Sequence, residues 1–304
     1  MFLDTTSLWR PQPDPNLPRA SAALSSAQLV TAGPPNETNT LLGEQQAREA
    51  LASRPEGLSR PVVPMLLAVA VGAHTYAGST GSPAQRLLRD GYAVLDGVLE
   101  PADVRKVKES CLYQQQRGAM RHLGQDGRDD SVMVLDPSRL DHPAYGALSL
   151  AAERLLSLPG LLARGGQEEG VTPEQAALLE SAAVPRRLML ACYPASGGRY
   201  VAHLDNDPAD PAYEEGPVGL RACDRVFTCI LYLNDEWEAP HEGCLRIFTA
   251  AVDEAAARSG EGLDEGSFVD VEPKGGRLVI FDSRRMLHAV RPSRAERWAL
   301  TVWI

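Results

Sequence analysis

The chain has 304 residues, 44% hydrophobic and 23% charged, with 40 acidic against 30 basic side chains and a formal net charge of −10. This is the composition of a globular protein with one sizeable core, and it excludes a chain disordered throughout. The acidic balance and the lack of a long basic run exclude sequence-independent nucleic-acid binding, which needs positive charge to displace counterions from phosphates. The longest apolar run, 62–73, is broken by Pro64 and falls well short of the roughly 20 residues of a bilayer-crossing helix, so no membrane span is expected.

Residues 1–80 carry Pro-x-Pro pieces between Pro11 and Pro15, the pair Pro34-Pro35, and no sustained hydrophobic period. They read as a mostly disordered N-terminal arm. No basic stretch leads into an apolar one, so a secretory signal is not expected; Asp4 and Asp14 count against a transit peptide, and organelle targeting stays open. Five cysteines form no C-x-x-C pair, and an odd number closes no disulfide framework. Buried thiols in a reducing compartment follow, cytoplasmic or nuclear.

Folded structure is expected from 81 to 304, with helical support over 81–184 and a barrel over 185–304. Ser82 caps a short helix, Pro83 to Asp90, which ends at Gly91; Tyr92 to Leu99 reads as a strand, and Pro101 opens a helix to about Gln116. After the Gly- and Asp-rich stretch 124–130, a helix is expected over Tyr145 to Leu158, and Thr172 caps another over Pro173 to Ala182. Beyond Pro185 come eight short strand-like segments: Arg187 to Tyr193, Tyr200 to His203, Arg225 to Leu233, Cys244 to Phe248, Ser267 to Val271, Arg277 to Phe281, His288 to Val290 and Trp298 to Trp303. Gly, Pro or Asp separates them, which suggests a closed or two-sheet antiparallel barrel. Gly275-Gly276 reads as a turn, since no helix follows it to cradle a phosphate.

Only six histidines are available for metal chemistry. His203 and Asp205 end a predicted strand, where the period of two puts both on one face. Alone this triplet is a weak signal; His288, at the start of a later strand, strengthens it. Two imidazoles and a carboxylate without a thiolate form a facial-triad set for divalent iron, with zinc as the rival ion. Arg297 lies where a short return turn would bring it beside that metal, and a buried guanidinium needs an anion. His241, in a loop beside Glu242, reads as solvated, and His74, His122 and His142 are assigned no chemistry.

These residues in this order resemble the iron(II) and 2-oxoglutarate dependent dioxygenases, most of all the hypoxia-factor type of prolyl 4-hydroxylase. The resemblance rests on Ala191-Cys192-Tyr193-Pro194 with Tyr200 through Asn206, on Thr228 through Asn234, on Gly243 through Phe248, and on His288 through Pro292 with Arg297 and Thr301-Val302-Trp303. It implies an α+β fold built on a double-stranded β-helix (a jelly-roll or cupin-like barrel), with supporting N-terminal helices. It implies His203, Asp205 and His288 as iron ligands and Arg297 as partner of the far carboxylate of 2-oxoglutarate, where collagen-type enzymes use lysine. Tyr232 and Thr301 match positions that help hold that carboxylate, Tyr193, Leu245 and Trp303 match pocket-lining positions, and Arg225 and Tyr200 match positions on the substrate side.

The implied activity is hydroxylation at C4 of a prolyl residue in a protein or peptide. Iron(II), 2-oxoglutarate, oxygen and ascorbate take part, succinate and CO₂ are released, and oxygen sensing is the implied role. Hydroxylation of another side chain or a small molecule, a non-catalytic binding barrel and a zinc hydrolase are the alternatives, and the sequence assigns no oligomeric state. Two departures stand out: the long acidic loop after Asp205, with Asp207, Asp210, Glu214 and Glu215 among Pro208, Pro211 and Pro217, and a turn before His288 one residue shorter than expected.

Overall fold

The structure is a computed structural model that describes residues 81–210, 212–215, 220–250, 256–257 and 265–304. The expected disordered arm, Pro211 and Pro217 lie outside the described residues. Helix α1 (Pro83–Asp90) begins with a capping box in which Ser82 accepts from the Gln85 amide and Gln85 answers the Ser82 amide, and it stops at Gly91 with φ 83°. Strand β1 follows, then α2 (Pro101–Gln116), whose residues Val104, Val107, Cys111 and Gln114 form one buried stripe. Strand β1 (Tyr92–Leu95) is shorter than expected. The left-handed turn at Gly97 ends it, and the Val98 amide leaves the ladder to donate to the Gly276 carbonyl.

The segment before Pro185 is not purely helical support. It adds β2 (Arg121–His122) and β3 (Ser131–Leu135), and with β1 these complete the larger sheet. The single helix expected over Tyr145 to Leu158 is two: α3 (Leu148–Leu156) and α4 (Leu158–Gly165). Pro159, in the first turn of α4, has no N–H to continue α3, so the chain restarts at Ser157. Helix α5 (Pro173–Glu180) carries the expected Thr172 cap, which Gln175 completes into a capping box, and ends two residues before the expected Ala182.

All eight expected barrel strands form, with no end shifted by more than three residues: β4 (Leu188–Tyr193), β5 (Gly198–His203), β6 (Phe227–Tyr232), β7 (Leu245–Phe248), β8 (Phe268–Val271), β9 (Leu278–Asp282), β10 (His288–Ser293) and β11 (Arg297–Trp303). The larger sheet has the order β1-β9-β6-β11-β4-β3-β2 and the smaller β5-β10-β7-β8, every pairing antiparallel. From β4 to β11 the chain passes back and forth between the two sheets, which makes a double-stranded β-helix in an α+β fold.

The period of two sorts each strand of the larger sheet into two cores. On β11, Trp298, Leu300 and Val302 join Leu188, Leu190, Phe227, Cys229, Leu231, Leu278 and Ile280 against the helices. Ala299 joins Tyr193, Ile230, Tyr232, Val279 and Phe281 inside the barrel, against Leu245, Ile247, Val271 and Val290 of the smaller sheet. Arg297, Thr301 and Trp303 share the Ala299 parity, so polar side chains of β11 point into the barrel.

Candidate metal centre

His203 closes β5 and His288 opens β10, and antiparallel pairing sets the two directly opposite each other. Their ring centroids are 4.3 Å apart. Asp205, two residues past His203, brings its Oδ1 to 3.5 Å from His203 Nε2 and its Oδ2 to 3.8 Å from His288 Nε2. One ligand atom from each of the three falls within 4.8 Å of the others, the one such group of metal-capable side chains among the described residues. Each imidazole is oriented alike: Nδ1 of His203 lies 2.9 Å from the Val201 carbonyl, and Nδ1 of His288 lies 2.9 Å from the Met286 carbonyl. A carbonyl only accepts, so Nδ1 carries the hydrogen and the Nε2 lone pair is free to bind a metal.

Burial pushes the His288 pKa down to about 4, helped by the neighbouring His203 and opposed by Asp205 and the Met286 carbonyl. The ring is therefore neutral near pH 7, as a metal ligand must be. For Asp205, burial alone would raise the pKa. Hydrogen bonding to His203 and the charges of His288, His203 and Arg225 overcome it and hold the carboxyl well below the usual range.

Packing around the cluster is aromatic and polar. Tyr200 stacks on His203 at 3.8 Å, and the Arg128 guanidinium, paired with buried Asp130, sits 4.9 Å over the Tyr200 ring. The Phe281 ring lies 4.5 Å from that of His288. Trp303 donates from Nε1 to Asp205 Oδ2 at 3.2 Å, so its contact goes beyond lining a pocket. Arg225 lies 4.2 Å over the Trp303 ring and donates to the Asp205 carbonyl at 3.1 Å and to the Leu220 carbonyl. With one-fifth of its side chain exposed, Arg225 braces the cluster as well as facing outward.

Arg297 does not touch this cluster. It opens β11 in the opposite sheet, paired with Tyr193 at the end of β4, and is 1% exposed. Its Nε donates to the Gly243 carbonyl at 2.8 Å and one Nη to the Tyr232 hydroxyl at 3.3 Å, while the Tyr193 and Tyr232 rings flank it at 5.1 and 5.0 Å. No carboxylate stands within ion-pair distance of it among the described residues. Burial raises the pKa of both tyrosines, so their hydroxyls stay protonated. Thr301 lies two residues before Trp303 on the same buried stripe, and Leu245 is fully buried in the barrel core.

The other described histidines have structural roles, and His74 lies outside the described residues: His241 Nδ1 accepts from the Glu238 amide, His142 Nδ1 accepts from the Ala144 amide, and His122 meets the Asp130 carbonyl. In the acidic loop, Asp207 and Asp210 each accept from the amide two residues on, and Asp224 is paired with Arg221. Sequence reasoning missed Thr228, Ser283, Phe281, Arg128 and Asp130. None belongs to a metal-ligand motif, and only the inward parity of Thr228 and Phe281 marks them beforehand.

The family model described as the 2OG-Fe(II) oxygenase superfamily matches residues 188–304. Mouse "Prolyl hydroxylase EGLN3" is 43% identical over 120 residues, 38% of this chain and 39% of that protein. Human "Egl nine homolog 1" is 40% identical over 119 residues, 38% of this chain and 22% of that protein. The chain thus spans well under half the length of the curated relatives it matches. A prolyl hydroxylase from Trichoplax adhaerens, solved with a hypoxia inducible factor peptide fragment, shares the fold, with TM-score 0.53 and 22% identity over 73% of this chain and 86% of that one. Residues 188–304, which carry the His-x-Asp and the distal His on adjacent strands of a double-stranded β-helix, thus match the 2OG-Fe(II) oxygenase superfamily model and are similar in sequence to the EGLN prolyl hydroxylases.

Proposed function

We propose that residues 81–304 act as an iron(II)- and 2-oxoglutarate-dependent dioxygenase that hydroxylates C4 of a prolyl residue in a protein or peptide. The observation that carries this reading is the pairing, inside one barrel, of the His203, Asp205 and His288 donor set with a buried guanidinium that has no carboxylate partner among the described residues. Two imidazoles and one carboxylate suit divalent iron and leave coordination positions open. A buried arginine with no anion beside it among the described residues suits a ligand that ends in a carboxylate. The prolyl-hydroxylase names of the curated relatives support proline as the target.

Iron bound there would supply oxygen activation coupled to decarboxylation of 2-oxoglutarate to succinate and CO₂, with ascorbate keeping the metal reduced. His203 and His288 would present Nε2 in a fixed tautomer, and Asp205 would offset one unit of the metal's charge. Arg297 would hold the far carboxylate of 2-oxoglutarate, with the Tyr232 and Thr301 hydroxyls beside it. Tyr193 and Leu245 would wall the cosubstrate from water, and Tyr200, Arg225 and Trp303 would border the prolyl substrate. Five free cysteines, three of them buried, support a reducing compartment, cytoplasmic or nuclear.

The test is recombinant full-length protein with iron(II), ascorbate, 2-oxoglutarate and a proline-peptide library. Succinate release coupled to a one-oxygen mass gain on proline is expected, and His203→Ala should abolish both. No turnover across a broad library would overturn the proposal, and a mass gain on another side chain would redirect it.

A further inference from the structure

Each histidine of the cluster is fixed by one backbone carbonyl two residues before it. Asp205 is fixed differently, by side chains from strands distant in sequence. Thr228 on β6 is 1% exposed, and Ser283, just after β9, is fully buried. Thr228 Oγ1 lies 2.7 Å from Asp205 Oδ2 and 2.8 Å from Ser283 Oγ. A hydroxyl has a single hydrogen, and a carboxylate offers only acceptor sites. Thr228 must therefore donate to Asp205 and receive its own hydrogen bond from Ser283.

The same carboxylate oxygen also accepts from Trp303 Nε1 at 3.2 Å. Oδ2 thus has two donors, whereas Oδ1 has its nearest nitrogen neighbours at 3.5 Å (His203 Nε2) and 3.7 Å (Arg225 Nη1). The backbone is pinned in step: the Asn206 amide donates to the Ser283 carbonyl at 3.0 Å, and Asn206 Nδ2 donates to the Arg225 carbonyl at 2.6 Å. Ser283 therefore holds both the residue after the aspartate and, through Thr228, its carboxylate.

We infer that Ser283 and Thr228 form a positioning relay that occupies Oδ2 of Asp205 and leaves Oδ1 as the single metal-binding oxygen. This rests on the proposed reading of His203, Asp205 and His288 as ligands. A one-oxygen aspartate keeps one more coordination position open than a two-oxygen one, which is the position an incoming ligand needs. Thr228 and Ser283 act through Asp205 and are positioning residues rather than catalytic ones.

The test uses the full chain, without oxygen, titrated with cobalt(II) and followed through its visible absorption bands. Removing an outer hydrogen-bond partner of a ligand typically weakens metal binding about 10- to 100-fold. Thr228→Val, which keeps the shape and removes the donor, should weaken cobalt binding by about that factor and change the band intensities. Thr228→Ser, which restores the hydroxyl, should bind within about threefold of the parent with its spectrum, and Ser283→Ala should fall between them. Parent-like affinity and spectrum in Thr228→Val would overturn the relay. So would equal weakening in Thr228→Ser and Thr228→Val, which would assign the effect to packing at this position rather than to the hydroxyl. Should Thr228→Val fail to fold, Ser283→Ala decides alone: weakened binding with altered bands supports the relay, and parent-like behaviour overturns it. Failure of the parent itself to bind cobalt would instead overturn the ligand reading, so the two failures are distinguishable.

Discussion

Replacing Arg297 tests the cosubstrate site separately from the metal. Two of its donors are already committed, to the Gly243 carbonyl and the Tyr232 hydroxyl, and these fix the guanidinium plane between two tyrosine rings. What remains is a buried positive charge with donors to spare. Hydrogen bonds to charged groups contribute about 1.5–3 kcal/mol each, and truncating one member of a buried charge pair costs about 2–5 kcal/mol. A loss near 3 kcal/mol corresponds to a Kd for 2-oxoglutarate raised roughly 100-fold, since about 1.4 kcal/mol is tenfold. Arg297→Met keeps most of the stem volume and should show that loss. Arg297→Lys keeps the charge, but a point ammonium cannot serve Gly243 and both carboxylate oxygens at once, so a loss of about tenfold is expected. The assay is calorimetric titration of 2-oxoglutarate into the cobalt-loaded protein, with cobalt affinity as the control. Cobalt affinity should hold, because Arg297 makes no contact with the His-Asp-His cluster. A folded Arg297→Met that binds 2-oxoglutarate within threefold of the parent would refute the assignment.

Three further outcomes follow from other parts of the molecule. His288 has a folded pKa of about 4 against roughly 6.5 unfolded, so the unfolded chain takes up the proton first. Its contribution to metal-free stability is complete above about pH 6.5 and is lost as pH falls toward 4, a change of about 3 kcal/mol; denaturant unfolding across that range should flatten in His288→Gln, and equal slopes would refute it. Gly276 has φ 78° and its missing Cβ would collide with the Leu99 carbonyl oxygen, whereas Gly97, at φ 72°, has nothing within 4 Å. Gly276→Ala should cost about 2–3 kcal/mol, seen as a melting drop of about 5–10 °C, and Gly97→Ala only the roughly 1–2 kcal/mol of left-handed backbone; equal drops would remove the steric part of this account. Asp210 and Glu214 are exposed in the loop after the ligand pair, so peptides with basic residues near the target proline should be favoured at low salt, and the preference should shrink in Asp210→Asn/Glu214→Gln. An acidic peptide that binds equally well at low salt would sink that preference.

How far the sequence reaches depends on how local each determinant is. Helix α1 was legible because a serine cap, a first-turn proline and a terminal glycine lie within ten residues. The eight barrel strands were legible because turn residues bound each one. The pause at Ser157 was harder, since the apolar pattern continues through it and only Pro159 marks the restart. Strands β2 and β3 went unread because they lie beside a loop rich in Gly and Asp, and their strand character comes from pairing, β3 with β4 and β2 with β3, rather than from their own pattern.

The site divides in the same way. His203, Asp205, His288 and Arg297 could be singled out because few residue types bind divalent metals or buried carboxylates, so a short candidate set survives. The relay on Asp205 had no such filter: its contacts span 23 residues to Thr228, 98 to Trp303 and, from Thr228 to Ser283, 55 more. Parity along a strand says which side chains enter the barrel, and register between strands says which of them meet. Parity is local, whereas register is settled by the whole sheet. Serine, threonine and tryptophan are ordinary residues until the pairing of β6 with β9 and with β11 brings Thr228 and Trp303 to one carboxylate oxygen and Ser283 to the Thr228 hydroxyl. The candidate ligands of such a centre can therefore be picked out by residue type, while the groups that hold their side chains in place can be read only from the fold.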